Sequence, residues 1–142
     1  MEPDDVVGRK AKQLPCSPKA KLLVVDEDLE DLRQYSAFLQ QEGYEVCAIS
    51  SFADGAACAE REDFDLIVVS QGSLSFEGRL VLARAIERNR SAPVLILTRA
   101  VTMPCYIEAM QSGALDYMEK PLLASEIGQL VKKYLRARSG SA

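Results

Sequence analysis

The sequence predicts an α/β domain in which helices cover both faces of a mostly parallel, five-stranded sheet. Three short runs, at residues 22–25, 66–69 and 94–97, are entirely apolar. Apolar runs of this length, without alternation, are typical of strands that are buried on both faces. Segments with the 3.6-residue periodicity of amphipathic helices separate the runs. Because strands that alternate with helices favour parallel pairing with right-handed crossovers, this order indicates one sheet between two helical layers.

The elements follow one another along the chain with few gaps. Five strands are predicted, at residues 22–25, 44–49, 64–70, 93–97 and 115–118. Five helices are predicted, at residues 29–42, 51–62, 76–89, 104–113 and 123–137. The second strand alternates only loosely between polar and apolar residues, which suits an edge of the sheet.

Local signals at the helix ends support these boundaries. Ser51 and Asp54 form a Ser-x-x-Asp pattern that resembles a capping box. Gly43 stands where a glycine commonly ends a helix, and Pro104 suits a first helical turn. In the third helix, the residues expected to face the core are Leu80, Val81, Ala83 and Ile86.

At 142 residues, the chain is long enough for one domain with a sizeable core. Residues 1–20 contain three prolines and mixed charge without periodicity, which predicts a flexible N-terminal arm. The folded domain is predicted at residues 21–137, and residues 138–142 are expected to fray.

Composition excludes several classes of protein. The chain has no histidine, which excludes imidazole catalysis, and its four cysteines are too far apart for a C-x-x-C motif. A net charge of −4 gives no general attraction to nucleic acid or to anionic membranes. The sequence shows neither a membrane span nor a secretory signal, so we expect a cytoplasmic protein. The cysteines, expected to be reduced thiols, are Cys16, Cys47, Cys58 and Cys105.

Polar side chains follow four of the predicted strands. Asp26 and Glu27 follow the first, Ser70 ends the third, Thr98 follows the fourth and Lys120 follows the fifth. Parallel strands bring such groups to one edge of a sheet, where ligands bind. Paired acids there suit Mg²⁺, and a threonine and a lysine suit phosphoryl oxygens. Each residue alone also has a simpler interpretation, as a helix cap, a strand-end polar group or a solvated lysine.

Residues 22–135 resemble the receiver domain of two-component response regulators. The matching segments are Val24-Val25-Asp26-Glu27-Asp28, Glu42-Gly43-Tyr44, Asp65-Leu66-Ile67-Val68-Val69-Ser70, Glu77-Gly78, Thr98, Gly113-Ala114-Leu115-Asp116-Tyr117 and Lys120-Pro121. The resemblance implies a flavodoxin-like (βα)5 three-layer sandwich with strand order 2-1-3-4-5. It also implies an acidic pair at Asp26 and Glu27, switch positions at Thr98 and Tyr117, and a signature lysine at Lys120.

The chain departs from this family where the chemistry occurs. Ser70 stands at the position of the phosphoacceptor aspartate, and a serine hydroxyl cannot form an acyl phosphate. No histidine is present to activate that hydroxyl. The site also loses one carboxylate, and Glu27 is longer than the usual aspartate. We therefore expect no catalytic residue, no cofactor, and Mg²⁺ binding at Asp26 and Glu27 that is weak or absent.

Arg99 is a further departure, because the residue after the switch threonine is usually small in the family. We hypothesise that Arg99 and Lys120 together neutralise Asp26 and Glu27 in place of a metal. The alternative is that Arg99 extends into solvent. Leu74, where the family often has proline, is a smaller departure in the loop after the third strand.

The leading interpretation is a pseudo-receiver, which is a non-enzymatic module that binds signalling proteins without aspartyl phosphorylation. A kinase or an output partner would bind the face formed by the fourth helix, fifth strand and fifth helix, where a homodimer is also plausible. A second hypothesis is that a serine/threonine-type kinase phosphorylates Ser70 as a stable ester. A third is a small-ligand or nucleotide binder on the same fold. The chain is either a single-domain regulator or a fragment of a longer one.

Overall fold

The computed structural model describes residues 19–140, with side chains described through residue 137. In this range, five strands alternate with five helices. The strands are β1 (Lys21–Val25), β2 (Glu45–Ile49), β3 (Leu66–Ser70), β4 (Val94–Thr98) and β5 (Asp116–Glu119). The helices are α1 (Leu29–Gln41), α2 (Phe52–Arg61), α3 (Arg79–Arg88), α4 (Met103–Gln111) and α5 (Ala124–Gly140). Most of the predicted N-terminal arm, residues 1–18, lies outside the described residues.

The strands form one parallel sheet in the order β2-β1-β3-β4-β5, which confirms the predicted topology. The register pairs Val25 of β1 with Val69 of β3, and Ser70 of β3 with Leu97 of β4. β2 lies at one edge, as its loose alternation predicts. The carboxyl ends of β1, β3 and β4 therefore lie side by side.

Two apolar layers cover the sheet, because successive residues of a strand face opposite sides. Leu23 and Val25 face the layer that contains α2, α3 and α4, whereas Leu22 and Val24 face α1 and α5. β3 and β4 are buried along their whole length. This burial on both faces explains why their sequences show unbroken apolar runs.

Helix α2 lies unusually close to the sheet. A Cβ atom on Gly55 would lie 2.7 Å from Cγ2 of Val25, so only glycine fits there without a shift. The small residues that the sequence concentrates in this helix therefore permit close packing. The Ser51 side chain accepts the Asp54 N–H and caps the same helix, as predicted.

Two helix boundaries differ from prediction by three residues, whereas the other boundaries agree to within two. Helix α3 begins at Arg79 rather than near Phe76, because Phe76 has a φ of +57° and is buried in the preceding loop. Leu80, predicted to face the core, is 38% exposed, and Leu82 is buried instead. Helix α5 continues to Gly140, beyond the predicted end at residue 137. None of the helices described between residues 19 and 140 is long and apolar enough to cross a membrane.

Candidate functional site at the carboxyl ends of the strands

Four of the predicted site residues are buried at the carboxyl edge of the sheet. Asp26 follows β1, Ser70 ends β3, Thr98 ends β4 and Lys120 follows β5, and each is at most 5% exposed. Asp26 and Ser70 come directly after the paired residues of β1 and β3, which places them on neighbouring strands. Buried polar groups need partners, so their contacts define what the site can do.

Lys120 connects two acids across the sheet edge. Its Nζ donates to Oδ2 of Asp26 at 2.7 Å and to Oδ2 of Asp31 at 2.9 Å. The side chains of Lys120 and Asp26 are each only 2% exposed. Asp26 also accepts the N–H of Asp28 at 2.9 Å. The peptide bond between Lys120 and Pro121 is cis.

Arg99 reaches the same acidic cluster from the loop after β4. It donates to Oδ2 of Asp31 at 2.6 Å, and it also contacts Oδ2 of Asp28 at 3.4 Å. The hypothesis that Arg99 and Lys120 share Asp26 and Glu27 is therefore wrong about the partners of Arg99. Glu27 instead lies exposed at the rim of the site. The Arg99 side chain is itself 54% exposed, so it is both ion-paired and solvated.

Asp31 is the central acid that the sequence did not single out. It lies in the first turn of α1, where Asp28 caps the helix by accepting the N–H groups of Glu30 and Asp31. Asp28 therefore caps this helix, rather than Asp26 or Glu27. A signal was available, because Asp31 shares the buried helix face of Tyr35 at a spacing of four residues.

The buried environment changes how these groups titrate. Burial raises the pKa of Asp26 to about 6, although hydrogen bonds from Lys120 and from the N–H of Asp28 act in the opposite direction. Burial alone would lower the pKa of Lys120, but hydrogen bonds to Asp26 and Asp31 raise it overall. The charged form of Lys120 therefore depends on its two acidic partners.

The loop after β3 folds back over Ser70. The hydroxyl of Ser70 accepts the N–H of Gly72 at 3.1 Å, and Gly72 has a φ of +86°. Glu77 closes the loop by accepting the N–H of Ser73 at 2.7 Å. A Cβ atom on Gly78 would lie 2.1 Å from the carbonyl oxygen of Ser70, so the chain requires glycine at that position. Ser70 is consequently 3% exposed.

The two switch positions are also engaged. The hydroxyl of Thr98 accepts the N–H of Ala100 at 2.9 Å. The hydroxyl of Tyr117 donates to Oε1 of Gln71, a residue that is completely buried. Burial raises the pKa of Tyr117. The sequence alone does not indicate a role for Gln71, because that role depends on a tertiary contact.

The groups at this site that could bind a magnesium ion are already hydrogen-bonded or are exposed. Asp26 faces the ammonium group of Lys120, Glu27 is exposed, and Ser70 offers a hydroxyl that already accepts a hydrogen bond. Among residues 19–140, no cluster of three or more acidic, cysteine or histidine side chains has the geometry to hold a metal. Mg²⁺ demands near-ideal oxygen ligation, whereas this cluster is an ion-pair network with its own cations.

Fold and site together define a doubly wound α/β domain with its polar groups at the carboxyl edge of the sheet. Residues 22–132 match the model of the response regulator receiver domain, and the chain belongs to that family. ZraR, a transcriptional regulatory protein of Salmonella typhimurium, is 31% identical over 117 residues, which cover 82% of this chain and 26% of that protein. The chain thus spans about a quarter of the length of this relative.

Solved structures show the same fold. A CheY-like receiver domain protein from Methanospirillum hungatei superposes with a TM-score of 0.81 at 23% identity, covering 88% of this chain and 100% of that chain. The beryllofluoride-activated NtrC4 receiver domain dimer superposes with a TM-score of 0.72 at 20% identity, covering 82% and 97% of the two chains. The flavodoxin-like fold predicted from the sequence is therefore confirmed.

Proposed function

We propose that this receiver domain is a signalling module that binds protein partners without conventional aspartyl phosphorylation. The observation that carries the proposal is Ser70, which occupies the end of β3 where the family has its phosphoacceptor aspartate. An acyl phosphate requires a carboxylate, which Ser70 does not supply. The hydroxyl is also buried and accepts the N–H of Gly72.

The ion-pair network supports the same proposal, because it stabilises the acidic site with cations of the protein itself. Lys120 neutralises the buried carboxylate of Asp26, and Arg99 neutralises Asp31 at the rim. An ion-pair network whose groups are already hydrogen-bonded gains little free energy by binding a divalent cation. We therefore propose that Mg²⁺ binds weakly or not at all.

The partner surface that we propose is the α4-β5-α5 face. Helix α4 has an exposed apolar stripe at the spacing of one helical face, composed of Met103, Tyr106, Ile107 and Met110. Exposed basic residues of α5 add positive charge beside it, namely Lys132, Lys133 and Arg136. A contiguous apolar stripe with a charged rim is typical of a protein interaction site. The partner is a kinase, an output protein or a second copy of this domain.

Phosphorylation of Ser70 by a serine/threonine-type kinase is less favoured by the geometry. A kinase must accommodate an extended and accessible hydroxyl, whereas Ser70 is 3% exposed beneath its own loop. We therefore treat phosphoserine as an outcome of the test rather than as a second proposal.

The test is intact-mass analysis after incubation with acetyl phosphate and Mg²⁺. We expect no mass increase for the wild-type domain and no stabilisation by beryllofluoride. Ser70→Asp is the matched variant, because it restores the family carboxylate at the same backbone position. A hydroxylamine-sensitive phosphate on the wild-type protein would contradict the proposal. A phosphate on Ser70 that resists hydroxylamine and mild base would establish the ester alternative.

A further inference from the structure

Gln71 is a polar side chain with no exposed surface, directly after the phosphoacceptor position. Its Oε1 accepts the hydroxyl of Tyr117, and its Nε2 donates to the carbonyl oxygens of Ser73 at 3.2 Å and Ala100 at 3.3 Å. A primary amide buried without such partners would destabilise the fold by roughly 1–3 kcal/mol. Gln71 therefore contacts three separate segments and leaves neither its oxygen nor its nitrogen unpaired.

The two carbonyl contacts fix the orientation of the amide. Carbonyl oxygens accept hydrogen bonds only, so the nitrogen of Gln71 must face Ser73 and Ala100. Its oxygen then faces the ring of Tyr117 and requires a donor. The phenol of Tyr117 is that donor, and outward rotation of the ring would leave the buried oxygen unpaired.

Tyr117 extends this connection to the surface of α4. Its ring packs against Tyr106 in an edge-to-face arrangement, with ring centroids 5.6 Å apart and an interplanar angle of 72°. Tyr106 is 42% exposed and belongs to the apolar stripe of α4. A continuous set of contacts therefore runs from the end of β3, through β5, to the proposed partner surface.

We infer that Gln71 is a positioning residue that holds Tyr117 inward and thereby keeps the α4 surface in one arrangement without any group on Ser70. The inference rests on the proposed function, because it assigns a state to the same partner surface. The inward ring is favoured because the rotated state leaves a buried acceptor unpaired. The hydrogen bond between Tyr117 and Gln71 thus controls the conformation of the α4 surface.

The alternative is that Gln71 only supports the two loops through Ser73 and Ala100. The two roles differ in what removal of the Tyr117 hydroxyl does. Loop support does not need that hydroxyl, so Tyr117→Phe would leave α4 unaffected. Positioning needs it, because the phenol is the only group of Tyr117 that Gln71 is shown to bond.

The experiment is residue-resolved amide hydrogen exchange on the full chain, without phosphate donor. Tyr117→Phe should raise exchange in α4 by about five- to tenfold, the value of one buried hydrogen bond. Gln71→Met should raise it at least as much, because it also removes the bonds to Ser73 and Ala100. The double variant should match the Gln71→Met variant, because both substitutions remove the same bond. Tyr44→Phe is the matched control, since it removes a tyrosine hydroxyl beside β2, at the opposite edge of the sheet from β5. Its exchange in α4 should remain at the wild-type value.

Two results would overturn the inference: unchanged α4 exchange in Tyr117→Phe, or multiplicative effects in the double variant. If Gln71→Met fails to fold, Gln71→Asn replaces it, because its amide is one methylene shorter and is withdrawn from the Tyr117 hydroxyl. NMR titration of labelled tyrosine gives a second readout, in which the raised pKa of Tyr117 should fall in Gln71→Met as its ring becomes solvated. A phosphate adduct in the mass experiment would overturn the proposed function and leave these exchange results intact.

Discussion

Asp31 presents a single carboxylate oxygen to both cations of the site. Its Oδ2 accepts hydrogen bonds from Nζ of Lys120 at 2.9 Å and from Nη2 of Arg99 at 2.6 Å. The buried lysine and the half-exposed arginine are therefore connected through one acid of α1. Through this contact, the first turn of α1 is coupled to the loops after β4 and β5.

Replacing Asp31 with asparagine should destabilise the domain by about 2–4 kcal/mol, because Lys120 loses one buried anionic partner and Arg99 loses its shorter contact. Urea denaturation at neutral pH measures this loss. Glu30→Gln is the matched control on the same helix, where an exposed ion pair with Arg33 contributes about 0.5 kcal/mol or less. Equal losses in the two variants would contradict the central position of Asp31.

The pKa of Asp26, about 6 in the folded state, predicts a specific pH dependence. The unfolded carboxyl has a pKa near 3.8, so the folded protein binds the proton more tightly between these two values. The contribution of Asp26 to stability should therefore increase as the pH falls from about 7 towards 4. Carbon-detected NMR should show the titration near pH 6.

Comparison with Asp26→Asn isolates this effect from the exposed acids, several of which have lowered pKa values and stabilise the fold in the opposite pH direction. The free energy of unfolding of the wild-type domain should rise relative to that of Asp26→Asn as the pH falls from about 7 towards 4. A carboxyl titration near pH 4 for Asp26 would show that Lys120 outweighs burial.

Gly78→Ala should destabilise the domain strongly, by about 3 kcal/mol or more, because the added Cβ would collide with the main-chain carbonyl of Ser70. Gly43→Ala is the matched control. Its Cβ would meet no atom within 4 Å, so only the strain of a φ of +99° remains, about 1–2 kcal/mol. Thermal unfolding of both variants gives the comparison, and similar losses would mean that the loop over Ser70 relaxes easily.

Lys120 and Arg99 should differ in their effect on Mg²⁺ binding. Lys120→Ala frees the buried carboxylates of Asp26 and Asp31, so Mg²⁺ should stabilise this variant more than the wild-type domain. Arg99→Ala should change little, because Lys120 still occupies Asp26. Thermal shift across a Mg²⁺ titration tests both, with NaCl at matched ionic strength as the control. A Mg²⁺ response confined to Arg99→Ala would show that the arginine is the cation that excludes the metal.

The fold was predictable because its signals are local. The unbroken apolar runs of β3 and β4 predict strands that are buried on both faces. The polar residues at their ends indicate the functional edge of the sheet. The start of α3 was not predictable, because Phe76 adopts a positive φ only when its ring packs under the loop. Tertiary burial of one aromatic side chain outweighed the helical pattern there.

The site was predictable only in part, for a related reason. Lys120 and Asp26 were identified from their places after strands, and the structure joins them. The partners of Arg99 were not, because the sequence shows which cations are near an edge but not which acid they reach. Gln71 gains its role from long-range contacts, which single-sequence patterns do not encode. Helical spacing places Asp31 on the buried face of α1 but does not show which cations it binds.

The edge-to-face pair of Tyr106 and Tyr117 has an optical consequence. The chain contains no tryptophan, so its near-ultraviolet circular dichroism arises mainly from its five tyrosines. Two phenol rings held 5.6 Å apart at a fixed angle make a strong contribution to that signal. The conformation of the switch tyrosine can therefore be monitored in solution without attaching a probe, including while a partner binds.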